Sequence, residues 1–265
     1  MLELKTTKIL ARIEAGIGWL TFNQPERRNA MSLDMWQAVG DALEHFQHNS
    51  SVRVVVMHGA GGRAFVSGAD ISEFDAQRAN AEQRQQYQEI TARGNRWLAG
   101  IDKPLIAMID GFCIGAGLGI ALNADVRFAT PDSRFGIPAA KLGLGYDYAG
   151  VATLARLVGP SVARDILFSA RFLHADEAER RGLINFVVGP AQLEASVRDY
   201  CALIVANAPL TIRAAKAAVA AFDQYTRTEA AAAVSALVDA CFDSDDYKEG
   251  RKAFAEKRPP QFHGR

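Results

Sequence analysis

The chain is poor in cysteine: Cys113, Cys201 and Cys241 stand far apart among 265 residues. An odd, scattered set supplies no disulfide framework and no zinc-finger spacing, and it fits a reducing compartment. Excess charge is also missing, since thirty basic residues balance thirty acidic ones. That excludes a global preference for nucleic acid or an anionic membrane, although not a local basic patch. No apolar stretch approaches the roughly eighteen charge-free residues of a membrane span. Met1 to Lys5 has none of the character of a signal peptide. Walker A, H-E-x-x-H and G-x-S-x-G patterns are absent. A cytoplasmic protein with no metal or redox cofactor is the expectation.

What is present is globular. Hydrophobic residues make up 49% and charged residues 23%, enough to bury a sizeable core in one large domain, with or without an appendage. Residues Ile9 to Phe22 alternate about Gly16 and predict a hairpin. Asn23 to Asn29, with Pro25, reads as a loop, and Ser32 is placed to cap a helix through Trp36, Val39, Leu43 and Phe46. Val52 to Met57 is a strand covered on both faces. Ala76 to Ala92 is polar and Gln-rich, which predicts a mobile flap or an exposed helix. A helix over Arg93 to Ala99, a strand over Leu105 to Ile109, a helix over Leu118 to Ala124 and a strand over Val126 to Ala129 follow. Strand, turn and helix thus recur with a period of about fifty residues, which predicts a wound or stacked architecture. From Leu193 to about Lys257 alanine dominates, predicting a helical appendage.

Two glycine turns carry the chemical signal. Ala64-Phe65-Val66-Ser67-Gly68-Ala69-Asp70 and Gly111-Phe112-Cys113-Ile114-Gly115-Ala116-Gly117-Leu118-Gly119 each follow an apolar strand and precede a helix-prone run. Small residues at such junctions leave backbone N–H groups uncovered. Two turns facing each other would form an oxyanion hole. The competing reading is that the glycines only permit close helix–strand packing. A dinucleotide fingerprint fits poorly, because the spacing is G-x-G-x-G. Asp125 reads as a structural acceptor, His58 as a packing histidine and Cys113 as buried and inert. His45 and His48 share a helix face but lack a third ligand.

The residues now carry a resemblance. Asn23-Gln24-Pro25-Glu26-Arg27-Arg28-Asn29-Ala30-Met31-Ser32 resembles the N-R-P-x-x-x-N-A-L-S opening of the crotonase (enoyl-CoA hydratase/isomerase) superfamily. Arg63 to Asp70 resembles its R-A-F-x-x-G-A-D segment, Gly111 to Asp125 its G-x-x-x-G-G-G-x-E-L-A-x-x-x-D segment, and Asp243 to Lys257 its C-terminal stretch. The resemblance implies an α/β fold: a spiral of repeated ββα units over residues 1–192, then a helical trimerisation region over 193–265. It implies an acyl-coenzyme A thioester as substrate, and a homotrimer or dimer of trimers. The oxyanion donors would be Ala69 and Ala116 N–H. Glu26, Arg27, Arg28, Ala30, Gly68, Asp70, Ile71 and Gly115 would line the thioester and coenzyme site, with Phe254 and Lys257 reaching in from a neighbouring subunit. No nucleic acid or membrane partner is implied.

The sequence departs from the family where hydratases keep two glutamates. Gly119 stands in place of the first and Ala139 in place of the second. Neither moves a proton, and each general acid or base typically contributes about 10²–10⁴-fold, so standard hydration should be weak. The nearest replacements are Tyr146 and Asp147, in a loop similar to that of methylmalonyl-CoA decarboxylases. Those enzymes carry histidine where this chain has Ala69. Decarboxylation or isomerisation through an enolate, residual hydration using Glu73 or Asp75, and silent acyl-CoA binding remain the competing readings. Tyr146 reads equally as a packing residue and Asp147 as a turn former.

Overall fold

The computed structural model describes residues 1–70, 81–207, 209–223, 239 and 242–260. The chain opens on the expected hairpin: β1 (Ile9–Glu14) and β2 (Ile17–Phe22) pair antiparallel about Ala15 and Gly16, both at positive φ. Next comes α1 (Leu33–His48), whose buried Met35, Trp36, Val39, Leu43 and Phe46 recur at helical spacing. Ser32 is its N-cap, but the hydroxyl bonds to Asp34 instead of the helix backbone.

Three ββα-like units follow. The first is β3 (Val54–Gly59), β4 (Ala64–Val66) and, after residues outside the description, α2 (Ala81–Gly100). The second is β5 (Leu105–Ile109), β6 (Phe112–Ile114) and α3 (Ala116–Ala121). In the third, β7 (Val126–Ala129) and β8 (Arg134–Gly136) lead to a 3₁₀ turn, Pro138–Leu142. The first strand of each unit joins one sheet and the second joins another. The larger sheet runs β1-β2-β3-β5-β7 and ends on β10 (Phe186–Val187); the smaller runs β4-β6-β8 and ends on β9 (Leu173–His174). Pairing within the repeats is parallel throughout. The remaining helices are α4 (Tyr148–Val158), α5 (Pro160–Ser169), α6 (Ala175–Arg180), α7 (Leu193–Ala206), α8 (Pro209–Asp223) and α9 (Asp245–Ala255).

Some boundaries differ from the sequence reading for local reasons. β3 begins at Val54 because Val52 N–H still donates to Asn49 O, in the turn that leaves α1. The expected flap and the expected Arg93–Ala99 helix are, from Ala81 onward, one helix. It lies close along α1: a Cβ on Gly94 would fall 2.7 Å from Trp36 O, and Arg93 pairs with both Asp41 and Glu44.

Alternation along the central strands fills two cores. Val55, Met57, Ala107 and Ile109 face α1 and the small sheet. Val54, Val56, Ile106 and Met108 face the other way, onto Leu193, Val197 and Cys201 of α7. The first helix of the expected appendage therefore covers a sheet face. α8 is latched to the same sheet, because Lys216 donates to Lys103 O at 2.9 Å and to Asp125 at 2.8 Å. Asp125 also accepts Leu105 N–H at 2.7 Å, the structural role read from its position.

The C-terminal helix packs on the 3₁₀ turn with no side chain between. A Cβ on Gly250 would lie 2.5 Å from the Leu142 backbone, and one on Gly143 would lie 2.6 Å from Asp246 O. Tyr247 is fully buried beside Phe242 and Leu144. Gly250→Ala should therefore destabilise the fold by about 1–3 kcal/mol, overpacking outweighing alanine's better helix propensity. Amide exchange should quicken over 138–144. A variant as stable as wild type in urea, with unchanged exchange there, would contradict this packing.

His58, in β3, bonds Thr21 Oγ1 through Nε2 at 2.8 Å and meets the edge of Trp19. Burial, helped by Arg12, pushes its pKa down from 6.5 to about 4. The unfolded chain thus takes up this proton first. Stability should fall as pH drops from 6.5 toward 4, by up to ~3 kcal/mol, with no effect above that window. Denaturant titrations of wild type and His58→Gln at pH 7 and pH 5 test this, the variant losing less.

Candidate functional site

The first glycine turn leaves β4 at Val66. Met31 N–H donates to Gly68 O and Asp70 N–H donates to Met31 O, each at 2.8 Å. This is a single parallel bridge around Ala69, in which Met31 bonds the two flanking residues. Ala69's own N–H is consequently directed away from Met31. Gly68 sits at φ 125°, a conformation open to glycine and strained for other residues.

The second turn leaves β6 at Ile114. Gly115 adopts φ 56°, ψ −117°, and its N–H donates to Gly136 O at 2.9 Å. Ala116 is the first residue of α3, so its N–H has no partner within the helix. The parallel register of β4 and β6, Ala64 opposite Phe112 and Val66 opposite Cys113, puts the two turns side by side. A Cβ on Gly115 would come 3.8 Å from Gly68 Cα, and one on Gly68 3.7 Å from Ile114 O. The close-packing reading of the glycines also holds at Gly117, whose absent Cβ would clash with Val66 O at 2.0 Å.

Gly119 lies one turn along α3 from Ala116. Among the described residues, a Cβ there would meet no atom within 4 Å outside its own helix, so the position opens onto free space. Ala139 is buried in the 3₁₀ turn that follows β8, and β8 is the neighbour of β6. The same loop continues through Gly143 at φ 66° to Tyr146 and Asp147. Tyr146 is half-buried, packed on the main core with its ring 3.7 Å from the Cβ position of Gly150. Asp147 is exposed at the N-cap of α4, and its carbonyl accepts Val151 N–H at 3.3 Å.

The loop with Glu26, Arg27 and Arg28 is organised from inside by Asn29. That fully buried amide accepts Gln24 N–H at 2.9 Å and donates to Ala60 O at 3.0 Å and Ala64 O at 2.8 Å. Asn29 thereby fixes the loop against the start of β4. Glu26, Arg27 and Arg28 project outward, and Arg27 pairs with the buried carboxylate of Asp70 at 2.8 Å. Asp70 thus anchors an arginine at the first turn. Arg28 lies over the Phe112 ring at 5.2 Å. Ala30 is half-buried. Phe254 is 52% exposed at the end of α9, and Lys257 lies just beyond it, also on the surface. Ile71, Glu73 and Asp75 lie outside the described residues.

Sequence reasoning missed the contact of α9 with the Ala139–Asp147 loop. The signal was an isolated glycine, Gly250, inside a helical pattern. The weaker ionisable candidates stay structural. Burial pushes the Cys113 thiol pKa up and that of Cys201 up to about 12, leaving both protonated. His45 and His48 line an open cavity of about 600 Å³ with Asp41, Glu44 and Arg93. Among the described residues no group of three or more metal-ligating side chains converges, and no helix is long and apolar enough to cross a membrane.

Known proteins resemble this chain along almost its whole length. Residues 12–265 match the sequence profile described as enoyl-CoA hydratase/isomerase. A short-chain-enoyl-CoA hydratase of Clostridium acetobutylicum is 33% identical over 255 residues, 96% of this chain and 97% of the relative. A crotonyl-CoA hydratase of Syntrophomonas wolfei is also 33% identical, over 96% of this chain and 97% of its own length. Among solved structures, an enoyl-CoA hydratase/carnithine racemase of Magnetospirillum magneticum superposes with TM-score 0.81 at 37% identity, covering 98% of this chain and 97% of that one. A methylmalonyl-CoA decarboxylase in complex with 2-nitronate-propionyl-CoA superposes with TM-score 0.89 at 25% identity, over 98% and 99% of the two chains. Fold, adjoining glycine turns and sequence agree: this chain belongs to the enoyl-CoA hydratase/isomerase family, within the crotonase superfamily.

Proposed function

We propose that the chain binds an acyl-coenzyme A thioester against its two glycine turns and polarises the carbonyl with the N–H groups of Ala69 and Ala116. Each such donor typically contributes about 2.7–4 kcal/mol to the transition state, so the pair supplies much of the catalysis. Main-chain donors do not depend on which side chains surround them. Glu26, Arg27, Arg28, Ala30, Gly68, Asp70, Ile71 and Gly115 line the thioester and coenzyme site. Phe254 and Lys257 contact coenzyme A across a subunit boundary in a trimer or dimer of trimers, built by the helices from Leu193 onward. No metal or redox group is needed for this chemistry.

Hydration is proposed to be weak. The observation that carries this reading is the open space at Gly119, one helical turn from Ala116, where the family pattern puts a carboxylate. Ala139, the second such position, presents only a methyl group. With the usual proton carriers gone, the polarised thioester is used as an enolate precursor, in decarboxylation or isomerisation. Tyr146 or Asp147 then handles the proton. The superposition on a methylmalonyl-CoA decarboxylase supports this choice.

Crotonyl-CoA hydration and methylmalonyl-CoA decarboxylation, measured side by side, test the proposal. Hydration should run at least ~10²-fold below that of a two-glutamate hydratase. Tyr146→Phe or Asp147→Asn should lower decarboxylation on the order of tenfold or more while thioester affinity holds. Brisk hydration by wild type would sink the weak-hydratase reading. If neither substitution slows turnover, the proton role of this loop is wrong. Conversely, Gly119→Glu combined with Ala139→Glu should raise crotonyl-CoA hydration, the first side chain entering open space without a clash.

A further inference from the structure

The helix that begins with Ala116 is too short to hold its own direction. α3 has six residues, two of them glycine. Helices this short are unstable by themselves, and internal glycines weaken them further. Its aim is therefore set by what grips its ends. Gly117, seated on Val66, holds the first turn.

At the other end lies Arg127, only 3% exposed. It occupies β7, on a face where its neighbours Ala107, Ile109 and Ala129 are apolar. A charge buried there is costly unless hydrogen-bonded. The guanidinium bonds to main-chain carbonyls: Nη1 donates to Ala121 O at the longer distance of 3.5 Å and to Ala124 O at 2.5 Å, and Nε donates to Leu183 O at 2.8 Å. The first two belong to the last residue of α3 and the turn after it, where the helix dipole is negative. Asn123 Nδ2 completes the cap by donating to Gly119 O at 2.8 Å. Arg127 N–H, in turn, donates to Asn185 Oδ1 at 2.9 Å. One side chain thus ties α3 to β7 and to the segment entering β10.

We propose that Arg127 is a positioning residue: by gripping the last carbonyl of α3 and one in the turn after it, it fixes the tilt of that helix, and so the direction of Ala116 N–H. This role rests on the thioester reading above. A misplacement of about 1 Å in such a group is enough to cost on the order of a hundredfold in rate.

Difference infrared spectra of bound [1-¹³C]butyryl-CoA test it, because the carbonyl stretch falls as the oxygen is gripped. Wild type should lower the frequency relative to the free thioester. Arg127→Met should return it toward the free value, with affinity for free coenzyme A, which has no such carbonyl, unchanged. Arg127→Lys should fall between. Should the methionine variant fail to fold, the lysine variant decides. A merely structural role would lower the melting temperature but keep the wild-type frequency in the folded protein, and that result overturns the proposal. A wild-type spectrum without any shift would instead remove the thioester reading, and this role with it.

Discussion

One missing methyl group governs the layout of the site. Because Gly117 has no Cβ, α3 rests on the backbone of β4, where a Cβ would stand 2.0 Å from the Val66 oxygen. A longer residue would lift the helix and carry Gly115 and Ala116 away from Gly68 and Ala69. The parallel pairing of β4 with β6 supplies the other half of the constraint, fixing the level at which the two strands end. Two turns from separate repeats come to lie beside each other through their backbones. A spiral of ββα units does this naturally, since each turn of the chain adds a strand next to the previous one.

The large sheet was legible in the sequence where the physics is local. Residues Ile9 to Phe22 alternate about a glycine, and a strand pair at that register is what such a pattern can bury. Leu105 to Ile109 matched to the residue, because a continuous apolar run between polar ends leaves little choice, and Val126 to Ala129 matched too although Arg127 interrupts its apolar residues. The small sheet was harder to read. Its strands are three residues or fewer, too short for any period to show, and they exist because the larger sheet holds their neighbours in place. The ion pair of Asp70 was hidden for a related reason: its partner Arg27 is 43 positions away in sequence. Asn29 drew attention as part of a motif, yet its role is to satisfy three backbone groups at once, which only the folded loop displays.

The C-terminal region is less of an appendage than its alanine-rich composition implies. α7 covers the sheet face opposite α1, and α8 is fastened to it by Lys216. α9 then returns to the loop that carries Ala139, Tyr146 and Asp147. Its glycine meets the turn backbone and its tyrosine fills the space behind Leu144. The loop proposed to move the proton is thereby backed by the helix whose far end carries Phe254 and Lys257. Contacts at that far end would be felt at the loop through a rigid, closely packed helix.

Family membership and reaction reside in different atoms here. The features that define the fold are backbone features: positive-φ glycines, a parallel register, a buried asparagine holding a loop. Proton carriers are single side chains, and in the reading proposed here those of Gly119 and Ala139 are reduced to hydrogen and methyl. Hydratases at 33% identity and a decarboxylase with TM-score 0.89 therefore share this architecture without sharing one chemistry. Under the proposed reading, a site that keeps carbonyl-gripping amides but lacks water-activating carboxylates still favours negative charge on the thioester oxygen. Such a site selects substrates whose reactivity needs only that charge to be stabilised, and a proton delivered from one side.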